Sequence, residues 1–138
     1  MSTIITFFVA PDNETAAGVA EGGPGPDLQV AEYGNFDVWE AIEEWESILL
    51  HRDLDEVIAD GGADVVSDDG APLVLCIPPA LTTALAGADD EVLSTAATRW
   101  VALGADLDEE LAREMLGELA ALSAAAEQTK GGVYVWVC

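Results

Sequence analysis

Basic residues are scarce in this chain. Its 138 residues include four Lys and Arg and one His against 27 Asp and Glu, so the formal net charge at pH 7 is −23. A surface this anionic repels DNA, RNA and anionic lipid, and it attracts cations and basic proteins. The charge therefore predicts no direct nucleic-acid partner and no membrane partner.

Cysteines are also few, and long apolar runs are absent. Cys76 and Cys138 are the only cysteines, which gives no disulfide framework and favours a reducing cytoplasm. We expect Cys76 to be an inert core residue and Cys138 to end a strand, with a redox or modification handle as the alternative. No run of about 18 apolar residues is present, which predicts no membrane span. The apolar N-terminus has no basic flank, so it indicates a buried strand rather than a signal peptide.

The motifs of common catalytic and cofactor sites are absent. His51 is the single histidine, and the chain has no G-x-S-x-G elbow and no G-x-G-x-x-G loop. Neither the Asp64, Asp68 and Asp69 loop nor the cluster Asp89-Asp90-Glu91 has calcium-loop spacing. We therefore predict no catalytic residue, no metal site and no cofactor, and we favour a protein that is not an enzyme.

Apolar residues, by contrast, are plentiful. They make up 51% of the chain, with a mean hydropathy of +0.27, which is enough to build a core and predicts one domain over residues 1–138. The β-branched or apolar runs predict strands at 4–9, 28–33, 65–66, 73–77 and 133–137. We expect a single α+β domain whose mostly antiparallel sheet has roughly three to five strands and carries helices mainly on one face. The first and last strands are expected to pair centrally.

Helical spacing is clearest after residue 37. It places Val38, Ile42, Trp45 and Leu49 inward and Glu40, Glu43, Glu44 and Ser47 on the opposite face. Further helices are predicted at 79–86 and at 89–103, the second with Val92, Ala96, Trp100 and Leu103 inward. Asp106 and Glu109 resemble a capping box for a last helix, which buries Leu111, Met115, Leu119, Leu122 and Ala126.

The same segment carries the predicted interaction site. Its acidic residues are Asp37, Glu40, Glu43, Glu44 and Glu46, which form either an ordinary solvated face or a docking surface for Lys and Arg of a partner. We expect most tryptophans to lie in the core, with Trp39 at the margin of its helix face. Duplex DNA carries one charge per ~1.7 Å of axis, so 23 charges match roughly 40 Å of duplex, about the diameter of this globule. Mimicry of nucleic acid therefore stays open.

The order of these landmarks resembles the small bacterial YfbM-like family of unknown function. The shared features are the opening strand Ile4-Ile5-Thr6-Phe7-Phe8, the helix with Trp45 and Leu49-Leu50, a strand-to-helix step from Leu73 to Leu85, a long last helix and the closing strand 133–137. The chain is shorter and more acidic than that family. The resemblance implies an α+β fold and a bacterial source, and it brings no catalytic residue.

Three functional hypotheses follow. The first is a non-enzymatic cytoplasmic interaction protein that binds a basic partner, such as a nuclease-like toxin or a nucleic-acid-binding protein. The second is a small-ligand-binding or enzymatic domain, which requires a concave pocket with convergent polar groups. The third is a housekeeping domain whose charge is an adaptation to high salt and selects no partner.

Overall fold

The two apolar ends of the chain form neighbouring strands of one sheet. The computed structural model describes residues 5–19, 30–33, 38–60, 64–67, 73–104 and 108–137. Within these ranges the strands are β1 (Ile5–Ala10), β2 (Val30–Tyr33), β3 (Asp64–Val65), β4 (Leu73–Cys76) and β5 (Gly132–Val137). The helices are α1 (Asn13–Gly18), α2 (Val38–Leu50), α3 (Leu54–Asp60), α4 (Pro79–Ala86), α5 (Asp90–Ala102) and α6 (Glu109–Thr129). The predicted α+β fold class is confirmed.

The strand order in the sheet is β2-β1-β5-β4-β3, and every neighbouring pair is antiparallel. β1 pairs with β5 along its whole length, from Ile5 opposite Val137 to Ala10 opposite Gly132. The predicted central pairing of the first and last segments is thus confirmed. Since successive side chains of a strand point to opposite faces, each strand contributes to two separate clusters.

One face of the sheet carries the main core. Residues of α2, α4, α5 and α6 pack there against apolar side chains of β1, β4 and β5. The Trp45 and Trp100 rings meet edge to face, with centroids 5.0 Å apart, and Phe7 lies 6.0 Å from Trp45. Aromatic pairs of this kind contribute about 0.5–1.5 kcal/mol beyond the area they bury. These contacts fix α2 and α5 over the sheet.

The opposite face carries a smaller cluster beneath α1. Phe8 stacks on Tyr134 with ring centroids 5.7 Å apart, and Ala16 and Val74 are buried beside them. The Tyr134 hydroxyl donates a hydrogen bond of 2.7 Å to Asn13 Oδ1. Burial raises the pKa of Tyr134 to about 12, because the charged phenolate loses its solvation. Helices therefore pack mainly on one face, as predicted.

An aspartate starts four of the described helices, and before α3 the side chain of Asp53 accepts a hydrogen bond of 3.2 Å from the Asp55 N–H. The side chains of Asp12, Asp89 and Asp108 accept hydrogen bonds of 2.7–2.9 Å from the backbone N–H three residues later. The prediction that Asp106 and Glu109 form a capping box for the last helix is wrong, because Glu109 is the first residue of that helix, whereas a capping box needs the glutamate at the third. α6 begins at Glu109, so the residue directly before it, Asp108, takes the capping position; Asp106 lies outside the described residues.

α2 and α6 end in the same type of turn. His51 and Lys130, the residues after these helices, have φ of 54° and 58°, in the left-handed region. The next backbone N–H then reaches back into the helix, from Arg52 to Ser47 O at 3.1 Å and from Gly131 to Ala126 O at 2.8 Å. Both ends are Schellman motifs built on a residue that is not glycine.

Three apolar residues predicted to be buried are exposed. Val92, Leu103 and Leu111 keep 44%, 52% and 40% of their surface in solvent, so their assignment to the core is wrong. A spacing of four residues drifts by about 40° per step on a helix of 3.6 residues per turn, and in α5 the buried side passes through Leu93 and Ala97 instead. Leu103 follows the last residue of α5.

Candidate functional site

The structure leaves two of the five predicted docking residues at the surface. On α2, Glu40 is exposed and Glu43 is half-buried. Glu44 and Glu46 are buried, with 6% and 7% of their surface exposed. Asp37 lies outside the described residues. The expectation that Glu44 and Glu46 belong to a solvated face is therefore wrong, and the four described carboxylates do not form one surface.

Helix geometry explains the burial of these two glutamates. Successive residues of an α-helix lie about 100° apart, so Glu44 and Glu46 are on opposite flanks of the stripe centred on Trp45. α3, α4 and α5 all pack against α2, and the buried residues of α2 span an arc of about 200°. Sequence spacing identified the centre of this arc but not its width.

Glu46 contributes to the end of its own helix. Its Oε1 lies 3.4 Å from Nη1 of Arg52, whose side chain is 32% exposed. The Ser47 hydroxyl donates a hydrogen bond of 2.7 Å to the carbonyl oxygen of Arg52. Both contacts hold the chain as it leaves α2 through His51. A carboxylate in such a partly buried pair serves the fold, because separating it from its partner would leave an uncompensated charge.

The solvent side of α2 carries an aromatic residue among acids. Trp39 is 37% exposed and precedes Glu40, while Glu43 follows one helical turn later, about 5–6 Å away between Cβ atoms. The partial exposure of Trp39 agrees with its predicted place at the margin of the helix face. Trp45 and Trp100 are buried, and Trp136 is half-buried. We refer to Trp39, Glu40 and Glu43 as the α2 ridge.

A second acidic surface lies on α6. Glu110, Glu114 and Glu118 are all exposed and follow one another at intervals of four residues, about 6 Å along the helix axis. No ion pair with a described residue reaches these three carboxylates. We call them the α6 row. Their spacing of four residues is visible in the sequence, although 17 of the 27 acidic residues lie in residues 1–70.

One end of the α6 row contacts the edge of the sheet. The Tyr33 hydroxyl on β2 donates a hydrogen bond of 2.6 Å to Glu118 Oε2. Burial, this hydrogen bond and the nearby charges of Glu118 and Glu114 raise the pKa of Tyr33, because each disfavours the phenolate. A groove of about 390 Å³ continues from there between β2 and α6, lined by Val30, Ala31, Glu118, Ala121 and Leu122.

A smaller groove lies where α2 ends against α5. Its volume is about 220 Å³, and its polar lining comes from His51, Glu91, Thr95 and Arg99. No Ser or Cys lines it, so His51 has no such nucleophile to activate there. Its remaining lining is apolar. The groove offers charges of both signs around a shallow floor, and it does not assemble the groups of a catalytic triad.

Other candidate residues have structural roles in the part of the chain described. Asp89 caps α5, and the thiol of Cys76 donates weakly to the Ile77 carbonyl at 3.6 Å. No three His, Cys, Asp or Glu side chains converge there as metal ligands would. Asp68, Asp69 and Cys138 lie outside it, and of Asp64 the structure describes the backbone. Among the described helices, none is both long and apolar enough to cross a membrane.

Comparisons with known proteins find no relative of this chain. No family model, no curated protein and no solved structure matches it. The resemblance to the YfbM-like family therefore stays a prediction.

Proposed function

We propose that the protein is a non-enzymatic interaction protein whose α2 ridge binds a basic partner protein. The observation that carries this proposal is the exposed Trp39 beside Glu40 and Glu43, in a chain of net charge −23. A cytoplasmic bacterial setting and a partner such as a nuclease-like toxin or a nucleic-acid-binding protein belong to the proposal. No enzymatic step is part of it.

Trp39 adds to the ridge what carboxylates alone do not provide. Exposed tryptophan is enriched among the residues that dominate binding energy at interfaces. Its face attracts a guanidinium or ammonium group, a contact worth about 0.5–1 kcal/mol at exposed sites. With Glu43 one turn away, a single Arg side chain can stack on the indole of Trp39 and pair with the carboxylate of Glu43.

The strength of these contacts defines what the ridge contributes. Each exposed ion pair is worth about 0.2–1 kcal/mol, so the ridge adds a few kcal/mol at most to the free energy of association. The net charge of −23 acts over a longer range and raises the rate of encounter with a cationic partner. The contacts at the ridge thus select and orient a partner that the net charge of the molecule attracts.

The arrangement of charge on α2 favours recognition of a basic protein without imitation of a duplex. Glu40 and Glu43 are about 4.5 Å apart along the helix axis, and the burial of Glu44 and Glu46 interrupts any longer row on this helix. Duplex DNA presents one charge per ~1.7 Å. The exposed charge density of α2 is therefore well below that of a nucleic acid.

The proposal is tested by titrating the protein with an oligo-arginine peptide in a calorimeter, at low and at moderate salt. We expect Trp39→Ala and the double variant Glu40→Gln/Glu43→Gln each to weaken binding by about threefold to fivefold. The matched control is Glu14→Gln/Glu127→Gln, which removes the same charge from exposed positions on α1 and α6.

The control variant distinguishes binding at the α2 ridge from attraction by the net charge of the whole molecule. A change of less than about twofold in the control, combined with the larger loss in the ridge variants, supports the ridge as the binding surface. Equal weakening in both double variants contradicts the proposal, because binding would then follow net charge alone. Equal weakening together with a fold that needs high salt would favour the salt-adapted housekeeping domain.

A further inference from the structure

We propose that the outer edge of β2 is a second binding surface, which takes an extended basic segment of a partner protein as an added strand. This inference goes beyond the α2 ridge and uses none of its residues. It depends on three features that meet at one place: a sheet edge, an apolar groove and the α6 row.

The sheet edge supplies backbone hydrogen-bonding groups. β2 is the terminal strand of the sheet, and within the described residues its hydrogen-bonded neighbour is β1. In an antiparallel strand, alternate residues direct their N–H and C=O groups to the same side. Two of the four residues of Val30–Tyr33 therefore present these groups outward, and an added strand satisfies them.

The groove gives the added strand an apolar contact. The groove of about 390 Å³ is lined by Val30, Ala31, Ala121 and Leu122 together with Glu118. A groove of this volume has room for one aliphatic side chain from the incoming segment. Apart from Glu118 the lining is apolar, so we expect a valine or leucine of the segment at this position.

The α6 row sets the charge of the neighbouring positions. Tyr33 contacts Glu118 and lies close to Glu114, so two carboxylates border the Tyr33 end of β2, whereas the groove at the Val30 end adds Ala121 and Leu122 to Glu118. Carboxylates on α6 repeat every ~6 Å, and same-face residues of a strand repeat every ~6.7 Å. An alternating segment of one aliphatic residue followed by two Lys or Arg, each separated by one residue, matches this order.

A second copy of the chain does not fit this edge. Glu32 is exposed on β2, and pairing of two such edges would bring Glu32 and the α6 row of both molecules together. Like charges across neighbouring strands are destabilising, and charged residues on edge strands are a known protection against self-association. The same charges favour a basic segment.

The test uses a capped heptapeptide in which threonine alternates with one valine and two lysines. Two further peptides carry the same side chains but have N-methyl groups on one or the other set of alternate amides. Because only one edge of an added strand pairs with β2, we expect one methylated peptide to bind about tenfold more weakly and the other to bind like the parent. We also expect the amides of β2 to exchange more slowly with solvent when the parent peptide is bound.

The charge contribution is measured with variants of α6. Glu114→Gln/Glu118→Gln should weaken binding of the parent peptide by about fivefold, and the control Glu91→Gln/Glu127→Gln by less than about twofold. Equal binding of the two methylated peptides, or protection of amides outside β2, overturns the proposal. The variants leave Trp39, Glu40 and Glu43 in place, so either surface can fail without affecting the test of the other.

Discussion

Helices α2 and α6 lie over the same face of the sheet and both carry several glutamates, yet they place these residues differently. On α2 the buried positions span an arc of about 200°, and Glu44 and Glu46 fall inside it. On α6 the buried arc is about 120°, and Glu110, Glu114 and Glu118 lie outside it. One helix therefore has a broken acidic face and the other a continuous one.

The cause of this difference is what covers the flanks of each helix. α3 follows α2 directly and packs back on it, and α4 and α5 contact it as well, so residues on both sides of the apolar stripe lose solvent. α6 also packs against α4 and α5, but its buried residues, among them Ala112, Ser123 and Ala126, lie within one stripe of about 120° and leave the opposite side open. The exposure of a charged residue is thus decided by the neighbours of its helix as well as by its spacing.

The largest difference in stability is expected between a substitution on the buried side of α2 and one on its exposed side. We expect Trp45→Ala to lower the free energy of unfolding by about 3–5 kcal/mol, since its ring is buried between Phe7 and Trp100. Trp39→Ala should lower it by only about 1 kcal/mol, because 37% of this side chain's surface lies in solvent. Urea unfolding of both variants measures the difference. A loss above about 2 kcal/mol in Trp39→Ala would show that the ridge is part of the core.

A smaller difference in stability is expected between a substitution within α6 and one just after its end. A Cβ at Gly131 would lie 2.4 Å from the carbonyl oxygen of Ala10, whereas a Cβ at Gly117 would meet nothing within 4 Å. We expect Gly131→Ala to destabilise the protein by about 1–3 kcal/mol and Gly117→Ala to stabilise it by about 0.5–1 kcal/mol, the usual gain in a helix interior. Both variants replace a glycine with alanine, and we expect thermal unfolding to show opposite shifts in their Tm. Shifts of the same sign would contradict the close contact at Ala10.

Much of this fold follows from local sequence signals. The continuous apolar runs of β1, β4 and β5, the proline at the start of α4 and the aspartate before α5 act within a few residues, so they could be assigned without a structure. The errors at Val92, Leu103 and Leu111 have a different origin. Each lies at the margin of an apolar stripe, where burial depends on a neighbouring helix and not on periodicity.

The candidate surfaces were less accessible to sequence reasoning. Trp39 was identified because it lies off the stripe of its own helix, which is a local property. The contact of Tyr33 with Glu118 joins residues 85 positions apart, and neither residue belongs to a motif that would link them. The position of β2 at the sheet edge also follows from long-range pairing. Sequence thus predicted the ridge in part and could not have located the groove between β2 and α6.

The smallest changes in stability are expected when one glutamate on each of the two helices is replaced by glutamine. We expect Glu46→Gln to lower the free energy of unfolding by about 1 kcal/mol, because the carboxylate is buried beside Arg52. Glu114→Gln should raise it by about 0.4–1 kcal/mol, since Glu114 stands between Glu110 and Glu118 and each like-charge pair at this spacing costs about 0.2–0.5 kcal/mol.

Salt concentration distinguishes these two carboxylates further. The Debye length is about 10 Å at 0.1 M salt and about 3 Å at 1 M, and charges in the α6 row repeat every ~6 Å. The gain from Glu114→Gln should therefore be present at 0.1 M and largely disappear at 1 M. The loss from Glu46→Gln should persist, because a buried pair is screened less than an exposed row. Denaturation in urea at both salt concentrations measures the four values. If Glu46→Gln lost its effect at high salt as Glu114→Gln does, both carboxylates would be solvated, and the distinction between the broken face of α2 and the continuous row of α6 would not hold.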